Sequence, residues 1–433
     1  FGSRPPRRLK RGLGDECDDS MVFLDMTKFP AGIFRPFLLQ FPPCVSTIVD
    51  WSLQAEKRIA SNGDLQSRST ACDTADMHSE RSSSVTMCPQ ELQGLHTFFD
   101  TSEVAPWDET RFELLSKVQD AARNNGHVDQ MRDAISGRRV AVKTMPNDWV
   151  CDNHNDFMKM HPFETEHPWG DVGCTKFLND TSYPYGCELL GVYRDACATH
   201  VVSELASEGD LFTWCSVISD EVPGPQREAR VRPLVRQIID SVRRLHDHSL
   251  VHRDLSLENI LLSRKRPPIG VLGAGTTDDE LCVQVIDFGM ASTGRIFENC
   301  IRGKPSYQAP EVHLTQEYDG FLSDAFAVGV TIYALLMKDY PWLSTRPGGC
   351  KCFEYVKRHG FRAYVQKRKL RGSTGTMAQH MSPSLVDLLA GLLEADPANR
   401  LTLGEADWGG DAAGGGRSVL REPWLDAEDT PTS

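Results

Sequence analysis

The sequence predicts an α+β fold, a small strand-rich lobe followed by a larger helical one. Three observations predict it. Between Arg111 and Leu205 apolar residues fall in short strand-like runs, among them Val140-Ala141-Val142-Lys143. From Arg227 to His246, the residues Val231, Leu234, Val235, Ile238, Ile239, Val242 and Leu245 mark one helical stripe. From Ser323 to Met337 the chain is apolar nearly all round, as a buried central helix should be. Strands gathered on one side and helices on the other are the α+β plan.

In chain order, residues 1–60 read as an N-terminal extension. Arg4, Arg7, Arg8, Lys10 and Arg11 cluster there, either as a solvated tail or as a targeting or docking patch. The first residue is Phe, which suggests a fragment whose true start is missing. Met21 to Val49 is apolar, but Pro30, Pro36, Pro42, Pro43, Lys28 and Arg35 break it into pieces too short to span a bilayer, so packing on the main domain is expected. Residues 61–90 are rich in Ser, Thr and charge and read as a disordered linker. Order is expected to resume near Leu92 to Phe99. Strands are expected within Arg111–Lys143, then at Glu188–Val192 and His200–Leu205. Ser382 before Pro383 is an N-cap with proline in the first turn, opening a helix over Leu385–Leu393.

The net charge of -13 argues against a nucleic-acid or membrane-surface partner. Thirteen cysteines are scattered without C-x-x-C pairs, which points to reduced thiols and a cytoplasmic setting. Cys350 and Cys352 are too few for a metal site. His154, His161 and His167 share a stretch that reads as loop.

The chemistry lies in three runs. His252-Arg253-Asp254-Leu255-Ser256-Leu257-Glu258-Asn259 follows the amphipathic helix after a short turn. Phosphoryl transfer to a hydroxyl needs a carboxylate for the proton and oxygen ligands for magnesium, and Asp254 and Asn259 have the spacing for both. Asp287-Phe288-Gly289 follows the apolar strand Val283–Ile286, and Asp287 is the second candidate metal ligand. Ala309-Pro310-Glu311 closes the segment. Each run alone is a weak signal; the three in this order, behind V-A-V-K, are a strong one.

On these runs the chain resembles the eukaryotic protein kinase superfamily, serine/threonine type, from about residue 111 to 425. The small lobe would be 111–205, the large lobe 206–425 and the tail 426–433. The runs Gly303–Glu311 and Ser323–Gly329 are similar to those of divergent kinases of single-celled eukaryotes. The resemblance implies ATP and Mg2+ as cofactors and protein substrates. It implies that Lys143 pairs with the α- and β-phosphates, that Asp254 is the catalytic base, and that Asn259 and Asp287 bind metal. Glu204 to Ala206 would form the adenine hinge, with Ser203 gating the cavity behind it. Val128, Ala141 and Leu261 would sandwich the ring. Asp324 would brace the catalytic loop and Glu311 would pair with Arg400. Leu178, Leu189, His252 and Phe288 fit the apolar column between lobes. Asp210 and Glu258 match acids that hold basic substrate side chains in some relatives; Asp210 also lines the nucleotide site.

The departures from the family are specific. The glycine-rich loop falls at Asp120–Val128 and keeps only its third glycine, Gly126; Arg123 points outward or at a phosphate. Cys174 stands where the lysine's glutamate partner belongs, leaving Asp171, Glu166 or no partner for Lys143. Arg253 normally meets a phosphate, but Cys300 occupies the usual site, so Glu298 is the expected partner and activity without phosphorylation of this segment is expected. Ser256 replaces the usual catalytic-loop lysine and Lys304 the facing threonine, so the cation is expected to have crossed the cleft to serve catalysis from Lys304. The expected activity is a protein serine/threonine kinase; the alternative is a kinase-fold scaffold with little or no transfer.

Overall fold

Alternation along the strands builds the small lobe. The computed structural model describes residues 94–121, 125–217, 221–265, 270, 272, 279–314, 316–370, 375–406 and 418–427. The expectations for residues 1–60, 61–90 and Arg123 lie outside these. Strands β1 (Ala105–Pro106), β2 (Phe112–Ala121), β3 (Gly126–Asp133), β4 (Arg139–Pro146), β5 (Leu189–Arg194) and β6 (Ala198–Glu204) form one sheet in the order β1-β5-β6-β4-β3-β2. The β1–β5 pair is parallel and the others antiparallel. On β4, Val140 and Val142 are buried with Phe112, Met131 and Val202. Ala141 and Lys143 fall on the opposite face, which the period of two requires.

Between β4 and β5 lie α1 (Asn147–Val150), α2 (His154–Met160) and α3 (Pro168–Asp180). The sequence reading had loop where α2 forms. Asn153 caps α2 by accepting from the Asp156 N–H at 3.0 Å. A helix of seven residues is too short to show a periodic stripe, so no pattern announced it. His154 opens α2 and stacks on His96 with ring centroids 3.8 Å apart. Among the described residues no group of three ligating side chains is placed to hold a metal.

The large lobe opens with β7 (Gly209–Asp210), α4 (Leu211–Val217) and α5 (Pro225–Asp247). The residues of the predicted stripe on α5 are all buried. Strands β8 (Ile260–Lys265) and β9 (Glu280–Val285) extend β7 into a three-stranded sheet, and β10 (Ile296–Glu298) pairs with β11 (Glu317–Asp319). Helix α6 (Gly320–Met337) is long and apolar enough to cross a membrane, but it is buried in the core of this lobe. Helices α7 (Lys351–His359), α8 (Phe361–Lys367), α9 (Pro383–Leu392) and α10 (Pro423–Asp426) complete the chain. Ser382 caps α9, its Oγ accepting from the Leu385 N–H at 3.3 Å. Buried Glu228 on α5 gathers the chain's end, accepting from Ser382 N (2.7 Å), Ser382 Oγ (2.6 Å) and Trp424 Nε1 (2.8 Å).

Candidate active site

The site lies in the cleft between the sheet and the large lobe. On β4 and β3, Val128 stands opposite Lys143, and Ala141 stands opposite Ser203 of β6. Val128, Ala141, Lys143 and Ser203 therefore share one sheet face. Lys143 donates to Asp171 Oδ2 at 3.1 Å, and Glu166 Oε1 lies 3.9 Å away. Of the alternatives left by sequence, Asp171 makes the close contact and Glu166 the outer one, while Cys174 is fully buried in the large-lobe core cluster. Burial alone would depress the Lys143 ammonium; Asp171, Asp287 and Glu166 outweigh it and raise its pKa. Asp171 does a second job: Oδ1 accepts from the Phe288 N–H at 2.9 Å, tying α3 to the Asp287-Phe288-Gly289 run.

The 253–259 loop is held from below. Asp324, at the start of buried α6, accepts from the N–H of His252 (2.7 Å) and of Arg253 (3.0 Å). His252 lies against Phe288 at 5.2 Å between ring centroids. Leu178 and Phe288 are buried in one core cluster, and Leu189 packs on a neighbouring one. Asn259 donates from Nδ2 to the Asp254 carbonyl at 2.8 Å, which leaves Oδ1 as the amide atom able to meet a cation. Arg400 makes a bidentate pair with Glu311, at 2.5 and 2.8 Å.

Arg253 does not meet Glu298. It donates to the carbonyls of Met290 (2.7 Å) and Ala291 (3.5 Å) and to Cys300 Sγ (3.3 Å), and it lies over the Phe297 ring at 4.7 Å. Glu298 sits on exposed β10 and bonds Asn299 instead. The reason is alternation: Phe297 points inward toward Arg253, so its neighbour Glu298 points out. The strand β10 was not foreseen, and with it Phe297 and Cys300 were missed as partners of the arginine.

Lys304 follows Gly303, which needs glycine: φ is +82°, and a Cβ there would stand 2.5 Å from the Arg253 carbonyl. This turn brings the Lys304 N–H to Asp254 Oδ1 at 3.2 Å. The Lys304 ammonium donates to Ser256 Oγ at 2.5 Å and to Glu258 Oε2 at 3.3 Å. The backbone, not the ammonium, thus touches Asp254, while the ammonium occupies the neighbourhood of Ser256.

Further round the cleft, Gly126 opens β3, and Glu204 ends β6 ahead of Ala206. The Glu204 side chain accepts from Gln284 at 3.0 Å. Leu261 pairs with Asp210 across β7–β8. Both Asp210 oxygens are engaged by Thr213, through its N–H (2.7 Å) and hydroxyl (2.8 Å). With Glu258 held by Lys304, both acids expected to receive a basic substrate side chain already have internal partners.

A family model for the protein kinase domain matches residues 124–408. The chain is similar to the serine/threonine-protein kinase SAPK9 of Oryza sativa subsp. japonica, 29% identical over 305 residues, 69% of this chain and 70% of that protein. It is also similar to testis-specific serine/threonine-protein kinase 5 of Mus musculus, 27% identical over 221 residues, half of each chain.

Proposed function

The chain belongs to the protein kinase family, and on that premise we propose that it transfers the γ-phosphate of Mg-ATP to serine or threonine hydroxyls of protein substrates. The observation that carries the reading is the intact Lys143–Asp171 ion pair, with Asp171 also holding the Phe288 N–H. The partner glutamate is lost from its usual place, yet a carboxylate still orients the lysine. Mg-ATP, when bound, would supply the phosphoryl group and a counter-charge for its negative charge. Lys143 would bind phosphate oxygen, and Asn259 Oδ1 with the Asp287 carboxylate would hold the cation. Asp254, fixed by Lys304 N–H and facing Asn259, takes the hydroxyl proton. The Lys304 ammonium adds positive charge where negative charge grows during transfer. Serine/threonine specificity is supported by the names of both relatives.

Radiolabelled ATP with generic protein substrates tests the proposal. The wild type should label substrate, and Asp254→Asn should cut the signal by at least about 10²-fold. Equal absence of signal from both proteins would favour a scaffold instead.

A further inference from the structure

The helix pair α7–α8 reverses the charge of the protein. The chain carries a net charge of -13, yet between residues 351 and 369 it has seven Lys and Arg and one acid, Glu354. Two of the seven are engaged within the fold: Arg362 pairs with Asp387 at 2.7 Å and Arg368 with Asp339 at 2.8 Å. Lys351, Lys357, Arg358, Lys367 and Lys369 are exposed and have no ion-pair partner among the described residues. Lys351, Tyr355, Arg358 and His359 recur at helical spacing and so share one face of α7. Tyr355 and His359 pack with ring centroids 4.5 Å apart, and α8 adds Lys367, whose Nζ lies 4.8 Å from the Tyr355 ring centroid. Three cations thus stand around one pair of rings. The helix dipole favours Arg358 in the last turn of α7 but opposes Lys351 in the first, so helix stability alone does not account for the set.

The loop between α6 and α7 ties this surface to the 303–308 segment beside Asp254. Ser306 Oγ donates to the Leu343 carbonyl at 3.2 Å, and Trp342 Nε1 donates to the Ser306 carbonyl at 3.1 Å. Thr345 Oγ1 donates to the Gln308 carbonyl at 2.8 Å. Trp342 is fully buried against Phe353 of α7, with ring centroids 5.0 Å apart. Tyr364 of α8 donates to the Pro341 carbonyl at 2.5 Å. Within the cleft, Asp210 is engaged by Thr213 and Glu258 by Lys304. These two acids therefore offer little to a basic side chain, while the flank offers cations to an acidic one.

Resting on the kinase reading, we propose that the α7–α8 surface at Lys351, Arg358 and Lys367 docks acidic segments of protein substrates. Carboxylates of a Glu- and Asp-rich segment pair with the three cations. Because these cations are exposed, they act mainly on capture and on its salt dependence. A substrate held there lies beside the 303–308 segment, which raises the local concentration of its hydroxyl at Asp254.

Fluorescence polarisation of the full chain with a labelled Glu/Asp-rich peptide, in the absence of ATP, tests the docking. The wild type should bind this peptide at least about tenfold tighter than a Lys-rich peptide of equal length, and added salt should weaken the binding steeply. The triple variant Lys351→Glu, Arg358→Glu, Lys367→Glu should lose about tenfold or more for the acidic peptide and gain affinity for the Lys-rich one. A variant that merely unfolds gains nothing, so the reversal separates docking from damage. Arg358→Glu alone should lose about threefold. Equal binding of the acidic peptide by the wild type and both variants would overturn the surface. Tighter binding of phosphatidylserine vesicles or of duplex DNA than of the acidic peptide would overturn the choice of partner. The polarisation needs no turnover: transfer without docking overturns this surface alone, and docking without transfer leaves the acidic partner standing and overturns its role as substrate.

Discussion

Arg253 (φ 64°) and Asp287 (φ 66°) both hold the left-handed backbone that non-glycine residues avoid. Such strain persists only where the surroundings over-determine it. Asp324 does this for Arg253 through two backbone hydrogen bonds, and Asp171 secures the residue after Asp287. Lys304 is the residue with the most to test. Its ammonium fills the place beside Ser256, so Lys304→Ala should lower kcat by about 10²-fold or more, the scale of losing one preorganised donor. The double variant Ser256→Lys with Lys304→Thr should recover much of that rate. Full turnover in Lys304→Ala, or a folded double variant with no recovery, would refute the role.

Among the elements, α3 and the segment from Asp287 to Glu311 carry most of the consequence. Gly173 of α3 passes so near the 3-10 turn Leu95–Phe98 that an added Cβ would meet the Leu95 carbonyl oxygen at 2.0 Å. Backbone cannot yield as a side-chain tip does. Gly173→Ala should therefore destabilise by about 1–3 kcal/mol and detach residues 94–104 from α3, read as faster limited proteolysis there. An uncleaved, equally stable variant would contradict the packing. In the 287–311 segment, Cys300 is buried, its carbonyl accepts from Tyr318 Oη at 2.5 Å, and Arg253 is already engaged by carbonyls, a sulfur and a ring. The arginine has no need of a phosphate to order it. Phosphatase treatment should leave activity unchanged, and a strong loss traced to a site in this segment would count against that.

For the molecule as a whole, His246 links three elements of the large lobe. Buried on α5, it stacks on Phe321 of α6 at 4.2 Å and lies between Glu405 (2.7 Å) and Asp324 (3.3 Å). Burial would lower its pKa, but the hydrogen bonds and charges of Asp324 and Glu405 prevail and raise it to about 9. The folded protein then binds a proton that the unfolded chain releases near pH 6.5. The resulting stability is fully present below about pH 6.5 and is lost as pH climbs toward 9. Denaturant midpoints should fall across this window in the wild type, and His246→Gln should show a shallower fall. Equal slopes would rule out the linkage.

The sequence by itself determined the α+β plan, because periods of two and 3.6 are written within a few adjacent residues. Val140 and Val142 on one face, the α5 stripe and apolar α6 needed no tertiary knowledge. The runs that mark the cleft were legible for the same reason: their spacing is local. The tertiary structure decided what lies between distant positions. It chose Asp171 for Lys143 across 28 residues and for Phe288 across 117. It turned Arg253 toward Cys300 and away from Glu298, set the Lys304 ammonium on Ser256, and added the parallel edge strand β1. A two-residue strand and a seven-residue helix carry no period, and an ion pair depends on where two chains of atoms end in space.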